Sequence, residues 1–467
     1  MITRDAAEKQ FETASPAFRQ TRRIDELRAR EFSRLDASGN VYLDFTGGAL
    51  YAESQVKKHA DLLRRQVLGN PHSKSPASAC ATALLEETRA RVLQFFNAPA
   101  DEYQVIFTSN ATHALKLVGE SYPFAPGGTF LLTFDNHNSV NGIREYARAH
   151  GARIVYVPVV PPEMRSAEPR IASALAEHAG SEGGHLFAYP AQSNFSGVQH
   201  PLEWIEQAHA HGWDVLVDAA SFAPTNVLDV ARWRPDFVTL SFYKMFGYPT
   251  GVGALIARTD ALRKLRRPWF AGGTITVASV TADRYVLAPG AAAFEDGTVD
   301  YANIPAVQIG LDLLDQVGLD VIHERVMCLT SWLLERLCAL QHSNGHPLLT
   351  LYGPKSTERR GGTIAMNFHD PAGMVIDHDE IEVRAAAQGI SLRTGCFCNP
   401  GAGEVALGLS SEELSPCFGR ADHHMTYEGF RHCVAPKSSG AVRISLGLVS
   451  NFADAHTFLR FAGEFLE

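Results

Sequence analysis

Between about residues 41 and 258, short apolar runs alternate with helical stretches, and that alternation predicts a doubly wound α/β unit with a mainly parallel sheet. The runs 104–108, 130–134, 215–218 and 236–241 are rich in β-branched and aromatic residues. Each is followed by polar or turn-forming residues, so polar side chains collect where strands end. In an open α/β sheet that carboxyl edge is where ligands bind.

Lys244 stands just past the run 236–241, whose flanks are punctuated by Pro235 and Gly247. Desolvation and a neighbouring positive charge lower an amine's pKa, which leaves a neutral Nζ able to form a Schiff base with a carbonyl. A surface lysine after a strand has the same local sequence. Asp218 ends the run 215–218, and the segment between Pro224 and Pro235 has room for a turn and a short helix. The two strands are therefore expected to be parallel neighbours. A carboxylate there suits the pyridinium nitrogen of pyridoxal phosphate, keeping the ring protonated as an electron sink; it also suits a helix cap.

Upstream, the run 104–108 leads through Ser109, Asn110, Ala111, Thr112 and His113 into a helical pattern. Strand, small polar turn and helix start form a phosphate cradle. Free backbone N–H groups and the positive helix end hold the anion, and the Ser109 or Thr112 hydroxyl adds a donor. A plain N-cap uses the same residues. His137 follows the run 130–134, where an imidazole can stack on a ring and move protons near neutral pH. Asn194 lies in the polar turn after 188–190, where its amide can donate to a phenolic oxygen.

The order phosphate loop, His, Asn, Asp, Lys resembles that of the class V aminotransferase and cysteine desulfurase family of fold type I pyridoxal phosphate enzymes. The wording of 241–251 and 393–402 is most similar to the desulfurase-like domain of molybdenum cofactor sulfurases. The resemblance runs from about residue 41 to residue 446. It implies that Lys244 forms the Schiff base with pyridoxal 5'-phosphate, Asp218 pairs with the ring nitrogen, His137 stacks on the ring and Asn194 meets the phenolic oxygen. Thr112, the Ala111 backbone and Ser241 would bind the phosphate. The stretch 294–298 is similar to a family segment that crosses a homodimer interface, so Thr298, with Gly273, is expected to reach the neighbouring subunit's phosphate. Arg443 matches the arginine that clamps the substrate α-carboxylate, and Arg393 is expected to be a second substrate-binding residue. Many cysteine desulfurases carry His where this chain, like the cofactor sulfurases, has Tyr243. Those eukaryotic sulfurases also carry a carboxyl-terminal domain for which this chain has no room, which leaves a molybdenum role open.

The stretch 391–401 surrounds Cys396 and Cys398 with Gly and Pro, predicting a mobile loop. With Arg393 nearby, a thiol there is expected to be partly thiolate, the form that attacks sulfur. The resemblance assigns the persulfide to Cys398, with Cys396 as an auxiliary thiol. A redox-labile pair is the alternative. Zinc is not expected, because the C-x-C spacing has no matching pair elsewhere. Cys417 with His423 and His424 reads as loop composition.

These features predict an enzyme that cleaves a carbon–sulfur bond of cysteine or a derivative, by desulfuration through Cys398. The alternatives are β-elimination from an S-conjugated cysteine, transamination or epimerisation, and a sulfur-relay protein without turnover. Residues 1–35 are expected to form a helical segment packed on the small domain, 36–302 the large cofactor-binding domain, and 303–467 a smaller α+β domain carrying the Cys loop. The stretch 306–340 reads as mainly helical. A net charge of −9 argues against nucleic-acid partners, and no apolar run approaches the ~20 residues of a membrane span. The expected partners are an amino-acid substrate, a second copy of the chain and a sulfur-acceptor protein. Seven scattered cysteines and an amino terminus without an apolar signal core predict reduced thiols and a cytoplasmic protein.

Overall fold

The computed structural model describes residues 4–71, 73–178, 183–419, 425–435 and 437–467. Its centre is a seven-stranded sheet built from β1 (Tyr103–Thr108), β2 (Thr129–Thr133), β3 (Arg153–Val157), β4 (His185–Pro190), β5 (Asp214–Asp218), β6 (Phe237–Ser241) and β7 (Gly253–Arg258). The spatial order is β1-β7-β6-β5-β4-β2-β3. Pairings from β3 through β6 are parallel, whereas β7 runs antiparallel to both β1 and β6. The expected short helix between β5 and β6 is Val230–Trp233, and these strands do pair in parallel.

Strand alternation divides the apolar side chains between two layers. Val105, Phe107, Leu131, Val215, Val217, Val238 and Leu240 enter one core; Ile106, Phe130, Leu132, Leu216 and Phe237 enter the other. Both faces are therefore covered, as a parallel sheet requires. Full burial of each such side chain stabilises by about 1.5–3 kcal/mol. With both faces occupied, the carboxyl edge is what remains for polar groups.

The second sheet is antiparallel and contains β8 (Leu349–Tyr352), β9 (Thr363–Phe368), β10 (Arg393–Gly395) and β11 (Ala441–Ser445), in the order β8-β9-β11-β10. Val41–Tyr42 pairs in parallel with Ile390–Ser391, and Asp44 bridges to Ser445, so this early segment lies beside the second sheet. The stretch 306–340 contains two helices, Ala306–Val317 and Leu319–Cys338, divided at Gly318, whose φ of +86° favours a glycine. The amino-terminal helices pack on the last helix of the chain. The Phe11 ring stacks on Phe452 at 5.0 Å, and the buried Arg28 donates to Asp36 and Asp454.

Two thiols depart from the expectation of a fully reduced chain. Cys417 and Cys433, 16 residues apart, form a disulfide that joins helix Ser411–Gly419 to helix Tyr427–Val434. Scattered spacing gives no sign of this pairing, because only the folded helix pair brings the two sulfurs together. Cys80, Cys328, Cys338, Cys396 and Cys398 are free. His423 and His424 lie outside the described residues. Among the described residues, no helix is long and apolar enough to cross a membrane.

Candidate active site

The carboxyl ends of β1, β4, β5 and β6 converge on a cavity of about 150 Å³, whose lining includes Ala111, Thr112, His137, Asn194, Asp218, Ser241 and Lys244. The residues singled out at successive strand ends thus share one space. Lys244 lies in the short helix Phe242–Phe246, immediately after β6. Burial by the surrounding protein pushes its ammonium below the ordinary lysine range. The Arg443 charge adds to that effect, while Asp218 and Asp44 oppose it.

Asp218 is buried at the end of β5, where its Oδ1 accepts from Ala220 N at 3.0 Å and from the Thr239 hydroxyl at 3.5 Å. His137 caps the short helix Asn138–Asn141, its Nδ1 accepting from Ser139 N at 3.1 Å. That acceptor role puts the proton of the neutral ring on Nε2. Burial lowers the imidazole pKa, reinforced by Lys244 and Arg443 and opposed by Asp218.

The anion-binding end is assembled at helix Ala111–Ser121. Asn110 caps it by accepting from His113 N, leaving the positive helix end facing the cavity. The Ser241 hydroxyl accepts from Ala111 N at 2.9 Å, and the Thr112 and Ser139 hydroxyls are 2.7 Å apart. Gly253 allows the close approach: a Cβ there would meet the Asn110 backbone at 2.6 Å. Ser109 instead lies against His113 Nδ1, at 3.4 Å from its hydroxyl, and Thr112 supplies the cavity hydroxyl. Helix end, hydroxyl cluster, lysine and carboxylate together suit a phosphorylated pyridine aldehyde.

Two expectations need correcting. Arg393 is not committed to a thiol. Its Nε and Nη2 donate to Asp44 Oδ2 at 3.0 and 2.6 Å, because the Asp44 carboxylate lies between Arg393 and Arg443. The Cys loop is also anchored rather than free. Asn138 N donates to the Cys398 carbonyl at 2.7 Å, Asn194 Nδ2 donates to the Phe397 carbonyl at 2.8 Å, and the Arg443 guanidinium lies 4.7 Å from the Phe397 ring centroid. Phe397 and Cys398 both have φ of +55°, a left-handed conformation that costs a non-glycine residue about 1–2 kcal/mol. The Cys398 side chain remains exposed and Cys396 half-buried.

Arg443 is buried. Its Nη1 donates to the Asn194 carbonyl at 3.0 Å and its Nη2 to Asp44 at 2.9 Å, while its Nε is buried without a partner. Thr298 and Gly273 do not line the cavity. The exposed Thr298 hydroxyl accepts from Asn70 Nδ2 at 3.2 Å, and Gly297 N donates to the Gly272 carbonyl at 2.8 Å, tying the two segments together. Sequence reasoning missed Asp44, Ser139, Gln192 and Asn399. Ser139, two residues beyond His137, was discoverable from its position at a helix start; Asp44 lies far upstream and carries no local signal.

Comparisons with known proteins agree with this geometry. The aminotransferase class-V family model matches residues 41–458. The molybdenum cofactor sulfurase of Solanum lycopersicum is 39% identical over 94% of this chain and 56% of its own length; that of Homo sapiens is 38% identical over 94% and 51%. The chain thus spans about half the length of these curated relatives. The apo cysteine desulfurase of Thermococcus onnurineus NA1 superposes with a TM-score of 0.77 at 22% identity, covering 95% of this chain and 98% of that one. A cystine C-S lyase, C-DES, gives 0.68 at 18%, covering 92% and 98%. The chain belongs to the class-V aminotransferase family, the fold type I enzymes that work through pyridoxal 5'-phosphate.

Proposed function

We propose that this protein removes sulfur from cysteine, leaving alanine and a persulfide on Cys398. The observation that carries the reading is the docking of the Cys398 loop beside the cavity lined by Lys244, Asp218 and His137. In this reading Lys244 Nζ would hold the cofactor covalently, Asp218 would keep its ring nitrogen protonated, and His137 would lie against its ring. Asn194 would donate to the phenolic oxygen, and the Thr112, Ala111 and Ser241 groups would hold the phosphate. Bound pyridoxal 5'-phosphate supplies an electron sink for the substrate α-carbon.

The chain's own groups then do the rest. Arg443, with its spare Nε, clamps the substrate carboxylate as a planar donor. Lys244, once released by the substrate amine and with its pKa lowered by burial, accepts the α-proton. The Cys398 thiolate attacks the substrate sulfur. A sulfur–sulfur bond forms, the Cβ–S bond breaks with its electron pair leaving on carbon, and protonation of that carbon together with return of the α-proton from Lys244 gives alanine. The persulfide is then available to a sulfur-acceptor protein or a cofactor.

The segment carrying Thr298, beside a hairpin of Ile275–Ser279 and Arg284–Leu287 that exposes Val277, Val280 and Val286, supports a homodimer in which Thr298 nears the partner's phosphate. We read residues 36–302 as the cofactor-binding unit and 303–467 as the unit that presents the cysteine loop.

Incubating the cofactor-loaded protein with cysteine tests the reaction. Alanine together with a Cys398 persulfide, both lost in Cys398→Ala, is the expected result. Pyruvate in place of alanine, or undiminished alanine from Cys398→Ala, would overturn it.

A further inference from the structure

Asn399 is completely buried, and its side chain is fully engaged. Nδ2 donates to the Asp135 carbonyl at 2.7 Å and to Asn194 Oδ1 at 2.8 Å; Oδ1 accepts from Ala402 N at 3.2 Å, capping helix Pro400–Leu407. One amide therefore ties the turn after β2, the turn after β4 and the helix that follows the sulfur loop. Its platform is itself fixed: Asp135 accepts from the buried His200 Nε2 at 2.9 Å. Asn194, held by Asn399, passes the restraint on by donating to the Phe397 carbonyl.

The next residue back along the chain is Cys398. Phe397 and Cys398 hold left-handed conformations that non-glycine residues leave unless their surroundings impose them. The hydrogen bonds converging on this loop impose them. An aspartate in place of Asn399 would keep the shape yet present only acceptors to two oxygen acceptors.

We propose that Asn399 is the positioning residue for Cys398: by clamping the Asp135 carbonyl and the Asn194 amide, it holds the sulfur-bearing loop at the mouth of the Lys244 cavity. The catalytic part of this inference rests on the desulfurase reading above. The amine and carboxylate of the substrate are held by other groups, so loosening the loop lowers kcat and spares KM.

Two variants of the cofactor-loaded protein test it. Asn399→Asp removes both donated hydrogen bonds, and Asn399→Ser keeps a helix-capping oxygen while losing the reach to Asp135 and Asn194. Hydrogen–deuterium exchange is read at the Asn138 amide, which donates to Cys398, and across residues 394–399. Strand Phe237–Ser241 serves as the reference for intact folding. The expected result is exchange faster by on the order of tenfold, the loss of a buried hydrogen bond. A similar fall in kcat for alanine formation should accompany it, with KM unchanged. Unaltered exchange in both variants would overturn the clamp, and faster exchange with undiminished kcat would overturn the positioning role. A wild-type protein that forms no alanine from cysteine would overturn the desulfurase reading instead, while the exchange comparison still decides whether Asn399 holds the loop.

Discussion

Arg393 on β10 and Arg443 on β11 stand directly opposite each other in antiparallel register. Like charges so placed repel. Asp44, brought in from residues beside the second sheet, resolves the conflict by accepting from both guanidinium groups. Arg443 is buried, so removing its carboxylate partner leaves an uncompensated charge, and breaking such a pair costs about 3–5 kcal/mol. Asp44→Ala is expected to lose stability at the upper part of that range and Asp44→Asn less, because the amide oxygen still accepts. Urea unfolding of the two variants checks the order.

Lys244 gives a pH prediction whose sign follows from burial. The neutral amine is the form that captures an aldehyde, and a depressed pKa exposes that form at lower pH. Capture of pyridoxal phosphate by the cofactor-free protein should rise with pH and level off below the ~10.4 of a free lysine. Asp218 opposes the depression, so Asp218→Asn should move the midpoint lower still. Stopped-flow absorbance across a pH series measures both.

Gly310 in helix Ala306–Val317 lies directly against the Phe246 ring, and an added Cβ would overlap that ring. Phe246 ends the helix that carries Lys244. Overpacking a core contact costs about 1–3 kcal/mol. Gly310→Ala should lower Tm and weaken cofactor retention together, whereas an alanine at the open, exposed Gly272 should do neither. Thermal melts with and without cofactor separate the outcomes.

The Cys417–Cys433 bond closes a short loop, and such a link stabilises by about 3 kcal/mol when the loop has roughly 15 residues. Reduction should loosen helices Ser411–Gly419 and Tyr427–Val434 and leave the sheet intact. Limited proteolysis is expected to cut this helix pair faster after reduction, with the cofactor absorbance unchanged.

The strand-end residues were legible in the sequence because each follows a short apolar run. Lys244, Asp218 and Thr112 could be placed on one sheet edge before any strand order was known. Asp44 and Asn399 were not legible, since their roles depend on contacts between segments hundreds of residues apart. Arg393 misled for the same reason: its nearness in sequence to Cys398 suggested a thiolate partner, whereas the sheet register gave it to Asp44. The thiol pair was hidden too, because two helices had to meet before Cys417 could find Cys433.

The reversed strand β7 has a mechanical consequence. Ser241 and Gly253 are register partners, so the connection between them leaves the sheet and returns at the same level. Lys244 therefore rides on a closed span pinned at both feet, unlike the long crossovers elsewhere in the sheet, which can absorb added residues at the surface. A residue inserted within helix Phe242–Phe246 has no such surface turn to disappear into, and the cofactor would register it as a change in the reach of the amine.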